Sequence, residues 1–101
     1  MPSAYFETTV TITRPNTSVD WPGDNLASHD AYVAWLSEVV GLIAVSNNRT
    51  DTESVTTYLF DSEENRQTFK NHPIMQTLIA DMIPIMAERG ITKTVVHLTP
   101  S

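Results

Sequence analysis

The sequence predicts an α+β domain with the element order β-α-β-β-α-β. Two observations lead there: short stretches alternate at period two around helical stretches of period three to four, and the chain is one domain long. Its 101 residues, 41% of them hydrophobic, suit a single domain spanning residues 1–101, large enough to bury a core without staples. The absence of cysteine removes disulfides, thiolate metal sites and a cysteine nucleophile.

The first strand is expected over Ala4 to Thr13. Phe6, Thr8, Val10 and Ile12 lie on one face, and Tyr5, Glu7, Thr9, Thr11 and Thr13 on the other. Arg14-Pro15 ends it. A loop rich in Pro, Gly, Asp and Asn follows over 16–28, with Ser28 as expected N-cap of the first helix and Asp30 favouring its positive end. Tyr32, Trp35, Leu36, Val39, Val40 and Ile43 fall on one apolar stripe, and Gly41 marks the helix exit.

Leu42 to Asn48 and Val55 to Phe60 read as a hairpin around a polar turn. Asp61-Ser62-Glu63-Glu64 reads as a capping box with Asp61 as cap. The second helix should run from Asp61 to Arg89 in two pieces, broken at His72-Pro73 and bent again at Pro84, because proline disfavours helical geometry before it and clashes with the preceding turn. Arg89-Gly90 closes it, and Ile91 to Leu98 forms the last strand.

This order is the ferredoxin-like arrangement: a four-stranded antiparallel sheet with the helices on one face. Phe6, Val10 and Ile12 should face the helices. Tyr5, Thr9, Thr11 and some of Tyr58, Phe60, Lys93, Val95 and His97 should line the open face, although a one-residue slip in register exchanges the faces. An open face of this composition, and the apolar width of Ile74 to Met86, point to a homodimer through the sheet.

Net charge is −6 and the isoelectric point is near 4.7. The six basic residues are scattered, so no stripe serves nucleic acid or an anionic membrane surface. Met1-Pro2-Ser3-Ala4 lacks a leader pattern, no apolar run approaches a membrane span, and the expected location is cytoplasmic.

Phe60-Asp61-Ser62-Glu63-Glu64 leading into Phe69-Lys70-Asn71-His72-Pro73, continued by Ile74-Met75-Gln76-Thr77-Leu78, resembles the dimeric α+β barrel superfamily. That superfamily includes antibiotic-biosynthesis-monooxygenase-like and stress-responsive barrel proteins. The resemblance implies a dimer with a small-molecule site in the barrel. Some members oxidise aromatic polyketides without a cofactor, and others bind or degrade haem. The chain departs from the pattern in its inserted 16–28 loop. It also lacks a tryptophan in the third strand and an asparagine in the first, so the haem-degrading residues are unmatched and no catalytic residue is carried over.

Candidate residues are therefore read from their chemistry. His97, with Tyr58 and Tyr5, would place a proton donor or acceptor in an apolar pocket. His72 stands at the helix break, as a ligand contact or as a capping residue. Trp21, outside any periodic pattern, closes the pocket mouth, anchors a partner subunit or packs the loop onto its own domain. Asp20, Asp24, His29 and Asp30 form a loose oxygen-rich group for a hard cation, at a spacing that matches no calcium loop. Met75, Met82 and Met86 are packing residues.

No Walker loop, dinucleotide fingerprint or G-x-S-x-G is present, so a dedicated nucleophilic enzyme is unsupported; no cofactor is expected either. Two functions compete: a barrel protein binding a small hydrophobic molecule with monooxygenase-like activity, and a non-catalytic interaction or assembly domain. Haem binding through His72 or His97 is a third reading.

Overall fold

A computed structural model describes residues 5–100; the expected strand start at Ala4 lies outside the described residues. The elements are β1 (Phe6–Thr13), α1 (Ala27–Trp35) with a 3-10 turn at Leu36–Glu38, β2 (Leu42–Arg49), β3 (Glu53–Phe60), α2 (Glu63–Asn71), α3 (Pro73–Arg89) and β4 (Thr92–Leu98). The strands form one antiparallel sheet in the order β2-β3-β1-β4, so β1 and β3 are central and β2 and β4 are edges. This is the ferredoxin-like α+β fold, with the second helix divided as expected.

Register decides the faces. Phe6 lies opposite Phe60, Thr8 opposite Tyr58 and His97, Val10 opposite Val95, and Ile12 opposite Lys93. Because side chains alternate, all five residues that the sequence reading divided between the faces (Tyr58, Phe60, Lys93, Val95 and His97) share the helix-side face with Phe6 and Val10. The expectation that some of them line the open face is thus corrected. The open face carries Thr9, Thr11, Thr57, Leu59, Val96 and Leu98 instead.

The core lies on the helix side. Phe60 is fully buried, and Tyr32, Tyr58, Phe69, Leu78, Met82, Met86 and Ile91 surround it. Phe69 of α2 packs on three rings: Trp35 at 5.2 Å and nearly parallel, Tyr58 at 5.1 Å and Phe60 at 5.2 Å. Leu78, Met82 and Met86 recur every fourth residue along α3 as its buried positions, and the helix runs on through Pro84. The second bend expected there does not divide the element.

The helix starts differ from expectation at two points. Ser62, not Asp61, caps α2: its backbone is extended and its Oγ accepts from the Asn65 amide at 3.1 Å. The Asp61 carboxylate accepts from Asn65 Nδ2 instead. α1 begins one residue before Ser28, because the His29 and Asp30 amides both donate to the Leu26 carbonyl. Ser28 Oγ is left buried without a partner.

The first helix also ends early. β-branched Val39 turns extended, Gly41 adopts a left-handed φ of +80°, and Val40 is 77% exposed rather than on the buried stripe. A Cβ at Gly41 would stand 2.3 Å from the Asn65 side chain. Gly41→Ala should therefore lower stability by about 1–3 kcal/mol, from backbone strain and the clash together. Phe60→Ala should cost about 3–5 kcal/mol. Urea midpoints within experimental error of the parent would contradict both.

Candidate functional site

Between sheet and helices lies a cavity of about 650 Å³. Its floor is built by alternation along the strands, and cross-strand register sets three rows. Val45, Tyr58, Thr8 and His97 form the first, Asn47, Thr56, Val10 and Val95 the second, and Arg49, Ser54, Ile12 and Lys93 the third. Tyr32 and Leu36 from the first helical segment and Met75, Leu78 and Met82 from α3 form the roof. Neither edge strand is covered by the helices; every residue of β4 is exposed.

Two polar pairs occupy the first row. The Tyr32 and Tyr58 hydroxyls are hydrogen-bonded to each other in a buried position. Burial pushes the pKa of both phenols up, and for Tyr58 the neighbouring Tyr32 adds to the effect. Both are therefore neutral. One hydroxyl donates to the other, which leaves one O–H proton for a further acceptor. On the far side of Thr8, His97 Nδ1 and Thr8 Oγ1 are 2.9 Å apart. Burial and then the Arg66 and Lys70 charges lower the His97 pKa, against a smaller opposing effect from Glu63. The imidazole is neutral at pH 7, with Nε2 uncommitted among the described residues.

Arg66 closes this end. It is 5% exposed, and its Nη1 donates to the carbonyls of Glu7 at 3.0 Å and Leu98 at 2.9 Å. Nη2 pairs with Glu63, and the guanidinium lies 5.5 Å from the Phe6 ring. It ties α2 to β1 and β4, while its Nε is buried without a partner. The second row is polar on its β2 side, where Asn47 Nδ2 donates to Thr56 Oγ1 at 2.8 Å and Ser54 Oγ at 3.0 Å.

Trp21 reaches the cavity from the 16–28 loop and is buried. Its ring faces the guanidinium of Arg14 at 4.3 Å and that of Arg49 at 5.0 Å. Arg14 also donates to the Val19 carbonyl at 2.8 Å, and Arg89 to the carbonyls of Asp20 and Trp21 at 3.3 Å. The loop is thereby fastened to the body with Trp21 as part of the wall.

The structure brings together Tyr58, His97 and Trp21 among the expected site residues, and it separates two. Tyr5 precedes β1 and is not part of the cavity lining. His72 lies outside it as well: its Nδ1 accepts from the Ile74 amide at 3.1 Å, capping α3, and its ring stacks on Trp35 at 4.3 Å. That is the capping role, and haem ligation through His72 would break it. Asp20, Asp24, His29 and Asp30 do not converge; among the described residues no group of three or more such side chains is placed to hold a metal ion. No helix of the described residues is long and apolar enough to cross a membrane.

Sequence reading did not single out Tyr32 or Arg66 for the site, and it named Lys93 only as a strand residue of unsettled face. Tyr32 was legible only as a stripe residue, and its hydroxyl partner comes from a strand 26 residues away. Glu63 and Arg66 at i,i+3 were a visible pair, but nothing local showed Arg66 turned inward.

No family model matches the chain. No curated protein matches it either. Among solved structures, SnoaB, a cofactor-independent oxygenase from Streptomyces nogalater, superposes with a TM-score of 0.67 at 11% identity, over 98% of this chain and 95% of that one. A monooxygenase from the gene ActVA-Orf6 of Streptomyces coelicolor, in complex with nanaomycin D, gives 0.65 at 16% identity, over 97% and 88%. A dimeric ferredoxin-like protein of unknown function from Thermobifida fusca gives 0.55 at 12% identity, over 98% of both chains.

The electrostatics of His97 are directly testable. Its NMR titration midpoint should lie below the ordinary value of 6.5 and rise in Lys70→Met, which removes one repelling charge. A midpoint at or above 6.5 would contradict the assignment of charges. At the level of fold, the resemblance read from the sequence is carried by the structure: the chain has the ferredoxin-like α+β fold that these oxygenases and dimeric proteins share.

Proposed function

We propose that this chain binds a planar, largely apolar small molecule between its sheet and helices and oxygenates it without a cofactor, as a homodimer. The observation that carries the reading is the cavity of about 650 Å³, a size that takes a ligand of two to four fused rings. Its first row holds a neutral imidazole and a tyrosine pair two strand spacings apart, about 10 Å. Cofactor-independent oxygenation by SnoaB and ligand binding by the ActVA-Orf6 protein support the reading.

The chemistry needs a base and a hydrogen-bond donor. His97 Nε2 would take a proton from a phenol or from a CH2 activated by flanking aryl rings. The resulting anion is electron-rich enough to react with O2. The spare tyrosine O–H would donate to the oxygen on which charge develops. Converting CH2 to a carbonyl consumes one O2: one oxygen atom stays in the product, the other leaves as water with the two hydrogens, and no external reductant is required.

An anthrone, which contains such a CH2, is a suitable test compound. Oxygen uptake should accelerate on adding protein free of metal and flavin, and His97→Ala should lower the rate about 10²–10⁴-fold. The base must be neutral and its pKa is lowered, so the acid limb of the rate profile should fall below pH 6.5. No acceleration in the parent protein, with full occupancy of the cavity by the compound, would remove the enzymatic reading.

The homodimer would form through the open sheet face, where Val96 is 53% and Leu98 48% exposed. An assembly domain would use the same face but gives no account of the cavity polar pairs. Light scattering should report a dimer for the parent and a monomer for Val96→Glu, since the contact would bury an unpaired carboxylate from each copy against an apolar face. A monomeric parent protein would remove the dimer.

A further inference from the structure

The charge of the cavity is opposite to that of the chain. Four of the six Lys and Arg residues line it, Arg49, Arg66, Lys70 and Lys93, against one of the twelve Asp and Glu residues, Asp24. Three of these cations differ from the fourth in having no ion pair among the described residues, since Arg66 is paired with Glu63. Arg49 is engaged with the Trp21 ring. Lys70, on α2, stands beside His97 at the first row.

Lys93 is different in position. It sits on β4 at the third row, four residues from His97, which is about 13 Å along the strand at about 3.3 Å per residue. Ile12 and Val95 neighbour it on the same face, and although the residue is exposed on its solvent side, partial desolvation against the cavity lowers its pKa. An ammonium held at the edge of an apolar cavity without a counter-charge favours an incoming anion.

Resting on the proposed cavity function, we infer that Lys93 is the anchor for an oxyanion, a carboxylate in the first instance, at the far end of an elongated aromatic ligand whose reacting end lies between His97 and the tyrosine pair. The substrate class is then a fused-ring aromatic acid spanning about 13 Å, rather than a neutral hydrocarbon or a compact phenol. The row geometry gives such a ligand one direction: its acid at the third row and its oxidisable ring at the first. Lys93 would act by orienting the ligand and selecting it by charge, with no part in bond making or breaking.

The experiment is a fluorescence titration of anthracene-2-carboxylate and of its neutral carboxamide into the parent protein, Lys93→Met and Lys93→Arg. The parent should bind the acid about tenfold more tightly than the amide, as a charge-assisted contact allows. Lys93→Met should bring the two to equal affinity, and Lys93→Arg should keep the preference. Lys70→Met should keep it too, which separates one anchored contact from a general positive field.

Equal affinity for acid and amide in the parent overturns the anionic substrate class while leaving the cavity reading in place. A preference that survives in Lys93→Met overturns the choice of residue. Binding of neither compound overturns the cavity reading and this inference with it.

Discussion

The Phe69 ring is where the two layers are joined. It is nearly parallel to Trp35 of α1, and it meets Tyr58 and Phe60 of β3 at about the same centroid distance. Three separate segments of the chain must therefore agree on one position. Trp35 in turn carries His72, the residue at which α2 stops and α3 starts. Tyr58 is thereby held where its hydroxyl meets that of Tyr32. The cavity begins at the edge of this stack, so its polar end has the rigidity of the core rather than that of a loop.

The rest of the site follows from two further constraints. Arg66 fixes the end of the sheet to α2 through main-chain carbonyls of both β1 and β4, which keeps His97 beside a cation. The inserted loop is tied down by Arg14 and Arg89, and its Trp21 fills a wall that the strands leave incomplete. Structural arginines thus surround a cavity whose tyrosine pair and imidazole are held toward their neutral forms.

Much of the fold was legible because its signals are local. Alternation in Phe6 to Ile12, the proline after His72 and the glycine at position 90 each act within a few residues, and each did what its chemistry dictates. The faces of β3 and β4 were not legible. Whether Tyr58 and His97 sit beside Phe6 or behind it depends on cross-strand register, a relation between residues 50 or more positions apart, and alternation alone is symmetric between the two choices. The end of the first helix was missed for a related reason. Val39 and Val40 match a helical stripe in spacing, yet their β-branched backbones and the left-handed Gly41 favour an earlier exit. The caps shifted by a residue or two because several neighbouring side chains were chemically able to serve. At the site, His97, Tyr58 and Trp21 could be named from residue type, whereas Tyr32, Arg66 and Lys93 gain their meaning only from partners brought in by the fold.

The exposed length of β4 has a kinetic consequence. One side of the cavity is bounded by a strand that no helix covers, so Lys93, Val95 and His97 line the cavity and meet solvent at once. A molecule can enter sideways across this strand without any helix moving aside. Exchange would then be limited by diffusion and by stripping water from the apolar floor, rather than by the slower opening of a lid. The same openness leaves bulk water within reach of the imidazole, so its proton exchanges directly with solvent.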